Sequence, residues 1–205
     1  MTVARAEHWE SVHRETAPTE AGWWEDEPRL SLDLIAATGA TPDTPLLDVG
    51  AGASMLVDNV LERGWSDVTV LDVAPSAFAN ARARLGARAE GVTWVVGDVL
   101  EVDLGRTLGI WHDRAVFHFL VDDGDRARYV EQVRRFVRAD GFLTVATFGP
   151  DAPDQCSGLP VRRHDLDALA QSFTGFELVT SRTYDHVGPT GYVLPYVAVV
   201  LQRTG

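Results

Sequence analysis

Residues 45–54 read Pro45-Leu46-Leu47-Asp48-Val49-Gly50-Ala51-Gly52-Ala53-Ser54. A short apolar run bounded by proline on one side and glycine on the other is a buried strand. Gly50 and Gly52 allow a tight turn and a close approach of ligand to main chain. From Ser54 to Arg63 the apolar residues Met55, Val57, Val60 and Leu61 fall near helical spacing, and Gly64 is placed to end the helix. Strand, glycine turn and helix follow one another within 20 residues, the opening unit of an α/β fold.

The same alternation continues outward. Val68–Asp72 is predicted as the second strand and Pro75–Leu85 as the second helix, with proline in the first turn, where its missing N–H is harmless. Residues 92–96 form a third strand ahead of Gly97-Asp98, and residues 108–112 a weaker fourth. Residues 126–138 form a strong helix, 142–148 a fifth strand and 165–173 a further helix. Upstream, residues 26–36 read as a helix beginning after Pro28. Two last strands, near 176–184 and 192–202, flank a Gly188–Gly191 turn too short for a crossover, so they are antiparallel. The expected fold is a Rossmann-like three-layer α/β sandwich: a seven-stranded, mostly parallel sheet closed by an antiparallel C-terminal hairpin. One domain spans 1–205. Residues 1–30 would be an N-terminal segment, 31–150 the ligand-binding core, and 151–205 the substrate-side elements and hairpin.

Composition narrows the chemistry. The 205 residues carry 30 acids against 18 bases, a net charge of −12, and every base is arginine. Without lysine, Schiff-base chemistry is unavailable. An acidic surface repels phosphate backbones, and the densest basic run (Arg134, Arg135, Arg138) lies inside a helical pattern, so no nucleic-acid partner is expected. The lone Cys156 cannot form an internal disulfide or a cysteine zinc site. No His or carboxylate cluster suggests a metal. There is no signal-like segment and no 18-residue apolar run, so the expectation is a cytoplasmic protein without a membrane partner. The oligomeric state is not legible.

Three acids end three successive strands: Asp48 at the glycine turn, Asp72 with Val73 after the second strand, and Asp98 with Val99 after the third. Ligands of open α/β sheets bind at these strand ends. Asp72, 20 residues beyond Gly52, is placed to accept both hydroxyls of a ribose. Asp98 is placed to accept from an exocyclic amino group, with the next backbone N–H donating to an adenine ring nitrogen. A dinucleotide fingerprint would have a third glycine where Ala53-Ser54-Met55 stand, and a carboxylate at Asp48 would repel a pyrophosphate. An α-ammonium would be welcome there. S-adenosylmethionine combines a ribose, an ammonium and a sulfonium with no phosphate.

The segments LLDVGAGAS, LDVA and GDV resemble the motifs of class I S-adenosylmethionine-dependent methyltransferases, over about residues 30–148 and more loosely over the whole chain. The family's third glycine is replaced by Ser54. Ile110-Trp111-His112-Asp113-Arg114-Ala115-Val116-Phe117-His118-Phe119 resembles the WDRGAL segment of the thiopurine and thiol methyltransferases. That resemblance implies a small-molecule acceptor and S-adenosylhomocysteine as product. It implies that Asp48, Gly50, Gly52, Ser54, Asp72, Val73, Asp98, Val99 and His112 hold the cofactor. His112 and Asp113 would line the transfer site as general-base candidates, and Arg114 would contact substrate. Trp9, Trp23 and Trp24 would cap the cofactor as a lid, with Trp24 touching it. His118 reads as a core histidine, and His186 is placed to reach the pocket or to serve structure. The competing functions are methylation of protein lysines or other amines, and a regulatory protein that binds the cofactor without catalysis.

Overall fold

The computed structural model describes residues 3–205. Its helices and strands in chain order are α1 (Val3–Glu15), α2 (Arg29–Ala37), β1 (Leu46–Val49), α3 (Leu56–Glu62), β2 (Val68–Asp72), α4 (Ala77–Leu85), β3 (Val92–Val96), β4 (Leu108–Arg114), α5 (Asp123–Phe136), β5 (Val137–Phe148), β6 (Gln155–Cys156), β7 (Leu159–Pro160), α6 (Leu166–Gln171), β8 (Phe176–Val187) and β9 (Val193–Arg203). Seven strands form one sheet in the order β3-β2-β1-β4-β5-β9-β8. The first five are parallel, and β9 and β8 run antiparallel to their neighbours. β6 and β7 form a separate two-stranded ribbon.

Side chains alternate across each strand, so β1 sends Leu47 and Val49 to one face and Leu46 and Asp48 to the other. The first face joins Trp111, Leu143, Val145 and Val199 in a core with Tyr129, Val133 and Phe136 of α5. On the second face Leu46, Val70 and Ile110 pack with α3 and α4. Leu30 and Leu34 of α2 pack there with Ala146, Tyr196 and Val200. Both faces of the central strands are covered, which is why β1 and β2 are buried at every residue.

Several boundaries differ from the sequence reading. β4 runs on to Arg114, and β5 begins at Val137, directly after α5. α5 starts at Asp123 because Asp122 caps it, its carboxylate accepting from the Gly124 and Asp125 N–H groups. Asp165 caps α6 by accepting from Ala168 N–H. The largest difference is α1: a helix occupies 3–15, where the sequence reading assigned only a polar segment bearing tryptophans. Among the described residues, no helix is long and apolar enough to cross a membrane.

Candidate active site

The glycine turn after β1 is left-handed at both glycines, with φ +64° at Gly50 and +52° at Gly52. Its backbone is tied to the neighbouring strand, since Gly50 and Ala51 N–H both donate to the Leu71 carbonyl. A Cβ at Gly50 would collide with the Val116 side chain, and one at Gly52 would lie 3.1 Å from His13 Cε1. Glycine is required at both positions by conformation and by space. Asp72 holds this turn in place: its carboxylate accepts from Gly52 N–H at 2.9 Å and from Ala74 N–H at 2.9 Å. Burial pushes the Asp72 carboxyl up against the opposing pull of these bonds. Ser54 Oγ accepts from Leu56 N–H as α3 begins.

Above the strand ends lies a cavity of about 540 Å³. Asp48, Gly50, Gly52, Ser54, Asp72 and Val73 line one end, with Gly97 and Val99. Arg5, Trp9 and His13 of α1 reach it at i, i+4 and i+8, and Trp23 joins them. α1 is held down by Glu10, which accepts from the Ser76 N–H and hydroxyl at 3.1 and 2.9 Å, and by Trp9, edge-on to Phe119. Asp48 is the unusual member. It is 5% exposed and has no hydrogen-bond partner among the described residues. Burial, with smaller contributions from Asp113 and Asp72, pushes its pKa up to about 8, although Arg114 opposes the rise. A buried carboxyl without donors is held neutral until a cation arrives.

β4 divides the three predicted transfer residues between the two faces of the sheet. His112 stands beside Asp48 in register and lines the cavity. Its Nδ1 lies 2.7 Å from Thr144 Oγ1 and its Nε2 2.9 Å from Ser31 Oγ. Burial, reinforced by Arg114, pushes its pKa down to about 3, so the ring is neutral. Asp113 points to the opposite face and does not line the cavity, so the expected base role is corrected. Its oxygens accept from Val116 N–H, Phe117 N–H and the Tyr129 hydroxyl. They secure the turn through Ala115, whose φ of +72° is left-handed. Arg114 returns to the cavity side, donating to the Trp23 carbonyl at 2.8 Å and standing 3.5 Å from Glu25. Burial resists ionisation of Glu25, but the His186 hydrogen bond and the Arg114 charge outweigh it and hold this carboxylate below its usual range.

The remaining predicted residues divide between the cavity and the surrounding framework. Asp98 accepts from Leu100 N–H at 2.9 Å as part of a turn, while Gly97 and Val99 reach the cavity. Trp24 turns to Asp26, to which its indole N–H donates, and does not line the cavity. Trp9 and Trp23 do. His118 is fully buried against Phe119 and Phe148. His186 stays outside the cavity and ties residues 22–25 to β8, with Nε2 donating to the Gly22 carbonyl at 2.7 Å and Nδ1 meeting Glu25 at 2.8 Å. Cys156 does line the cavity. Ser31, Glu25, His13 and Tyr196 were not anticipated. Only the four-residue spacing of Arg5, Trp9 and His13 could have signalled a helix facing a site.

The parallel sheet with a reversed β9, the glycine turn and the acids at the ends of β1 and β2 define a class I α/β enzyme that binds a cationic nucleoside cofactor. Residues 46–141 match the family model described as a methyltransferase domain. EEF1A lysine methyltransferase 2 of Mus musculus is 23% identical over 224 residues, covering 97% of this chain and 83% of its own. Burkholderia thailandensis 1,6-didemethyltoxoflavin-N1-methyltransferase, solved with 1,6-didemethyltoxoflavin and S-adenosylhomocysteine, is 25% identical with a TM-score of 0.75, covering 99% of this chain and 88% of its own. A structure concerned with conversion of a disulfide bond into a thioacetal group in echinomycin biosynthesis superposes with a TM-score of 0.77 at 19% identity, over 98% and 93% of the two chains. The methyltransferase domain over residues 46–141, the fold and these likenesses support an S-adenosylmethionine-dependent methyltransferase of class I.

Proposed function

We propose that this enzyme methylates a small, planar aromatic acceptor on a nitrogen or sulfur that is already unprotonated at neutral pH. The observation that carries the reading is the acceptor half of the cavity. Trp9, Trp23, Phe119, Phe148, Tyr192 and Tyr196 line it, and Arg5 and His13 of α1 with Gly22 border it. A cavity lined by so many aromatic rings favours a flat molecule that can stack against them. The resemblance of residues 110–119 to the thiopurine and thiol methyltransferases points the same way.

The residues fit the cofactor. Asp48, buried without a donor, would take the α-ammonium; Asp72 keeps unused acceptor lone pairs for a ribose; Gly50 and Gly52 leave room for main-chain approach. Bound there, S-adenosylmethionine supplies an activated methyl on a sulfonium. The protein's share is alignment and exclusion of water. His112 is a positioning residue in this account: a neutral ring bonded by hydroxyls at both nitrogens fixes Ser31 Oγ at the cavity wall. It adds no positive charge beside a sulfonium. Since neither His112 nor Asp113 is a free base, the acceptor has to bring its own lone pair.

Methylation of a protein lysine is the second reading, supported by the mouse relative and by an acidic surface that draws basic partners. A lysine acceptor would have to reach the transfer point inside the same cavity. Incubation with labelled cofactor against a panel of aryl thiols, aryl amines and heteroaryl N–H compounds, alongside a peptide array, separates the two. Label on small molecules alone supports the proposal. Label on peptides alone replaces it.

A further inference from the structure

We propose that the Tyr196 hydroxyl is the specificity-determining donor of the acceptor site, selecting planar substrates that present a ring carbonyl or ring nitrogen on the edge turned toward β9. This rests on the small-acceptor reading above and adds to it the polar feature that the substrate must carry.

Tyr196 is 2% exposed and lines the cavity from β9, next to the edge strand β8. Its ring is fixed: it pairs with Phe148 across β5 and β9, lies edge-on to that ring at 5.2 Å and edge-on to His186 at 6.2 Å. The hydroxyl therefore has a set direction. No hydrogen bond to it exists among the described residues. The contrast with Tyr129 is direct. That tyrosine is equally buried, and its hydroxyl both donates to Asp113 and accepts from the Trp111 indole. Tyr184, less buried, donates to Glu25. A buried hydroxyl is ordinarily satisfied, so one left open at a cavity wall is reserved for what enters the cavity.

The chemistry of the missing partner follows from the surroundings. Burial pushes the Tyr196 hydroxyl well above the ordinary phenol range, so it stays protonated and can donate. Arg114, the nearby cation, is already matched by Glu25 and by the Trp23 carbonyl. A substrate carboxylate would thus find no uncompensated charge and would be desolvated without return. An uncharged acceptor atom, a carbonyl oxygen or a ring nitrogen, suits a phenol donor in an aromatic-walled site. Such a donor rejects analogues that lack the acceptor atom more strongly than an apolar wall could.

The test uses two matched pairs of bicyclic acceptors. 7-Mercapto-4-methylcoumarin and 7-amino-4-methylcoumarin carry a ring carbonyl; 2-naphthalenethiol and 2-aminonaphthalene do not. Methyl transfer to each is measured with the full chain and with Tyr196→Phe. The expected result is that Tyr196→Phe lowers kcat/KM for the coumarins about tenfold or more, mainly through KM. The naphthalenes should change less than about twofold, and S-adenosylhomocysteine affinity should not move. The Tyr196→Phe protein should also melt at or above the temperature of the parent, because it loses a hydroxyl that bonds nothing. A clear fall in Tm, or equal loss on both members of a pair, overturns the proposal while leaving the small-acceptor reading intact. If the parent methylates none of the four and labels peptides instead, the small-acceptor reading fails and takes the Tyr196 assignment with it.

Discussion

Asp113 shows how one residue can look catalytic in sequence and prove to be a clamp. Its three accepted hydrogen bonds close the turn after β4, hold Ala115 in a left-handed conformation, and press Val116 against Gly50. The cofactor turn is thus braced from the far side by a carboxylate that never enters the cavity. Asp113→Ala should destabilise the fold by about 2–4 kcal/mol, since Tyr129 and two backbone N–H groups lose their acceptor. Urea unfolding checks this, and an unchanged midpoint would refute it. Ala115→Gly, which relieves the left-handed strain, should be neutral or stabilising in the same assay. Asp72→Ala acts on the cofactor instead. Losing the carboxylate that would meet the ribose and that orders Gly52 should weaken S-adenosylhomocysteine binding by about 1.5–3 kcal/mol, read by calorimetry.

At the scale of elements, the extent of β4 governs what could be read beforehand. A strand ending at residue 112 leaves Asp113 and Arg114 in a loop, free to face one site together. A strand running to Arg114 obeys alternation, so His112 and Arg114 share a face and Asp113 takes the other. The glycine turn, Asp48 and Asp72 were legible because each depends on contacts local to one βα unit, whereas the strand order was not, since β1 lies beside β4 through a pairing that joins Asp48 to His112. Ser31, Glu25 and Tyr196 were not, because they enter the site through pairings that span 81, 89 and 48 residues, such as Ser31 with His112, Glu25 with Arg114 and Tyr196 with Phe148. Trp24, expected at the cofactor together with Trp23, turns away instead, because nothing local tells which of two adjacent indoles faces inward. The strap at residues 22–25 is held by Arg114 of β4 and His186 of β8, both bonding its carbonyls and both meeting Glu25. Removing Glu25 leaves Arg114 buried without a carboxylate. Glu25→Ala should therefore cost about 3 kcal/mol or more and loosen the strap, raising acceptor KM above the change in cofactor affinity. Thermal unfolding with steady-state kinetics measures both; equal stability would show that the strap is held by its backbone bonds alone.

The whole molecule is an acid: net charge −12, with its most unusual carboxyl at the bottom of the cavity. The outer field draws cations toward the protein, and with the proposed ammonium site at Asp48 this carboxyl would tie binding to protons. Its folded pKa of about 8 lies above the 3.8 of an unfolded aspartate, so the fold favours the neutral form. The stability associated with that neutral form is complete below the unfolded value and erodes as pH climbs toward about 8. An ammonium placed beside it reverses the preference and drives the proton off. Binding of S-adenosylhomocysteine, which carries the ammonium without the sulfonium, should release close to one proton at pH 7, and its affinity should rise by up to about tenfold per pH unit between pH 6 and 8. Calorimetry in buffers of different ionisation enthalpy counts the proton. In parallel, the Tm of the cofactor-free protein should decline from pH 6 to 8.5, and saturating S-adenosylhomocysteine should remove the decline. Asp48→Asn separates this carboxyl from every other titrating group: it should bind more weakly, release no proton, and melt with a flatter pH profile than the parent. Proton release that persists in Asp48→Asn would move the linkage to another group, with Asp113 and Asp72 the carboxyls that act on Asp48, and would remove Asp48 from the ammonium site.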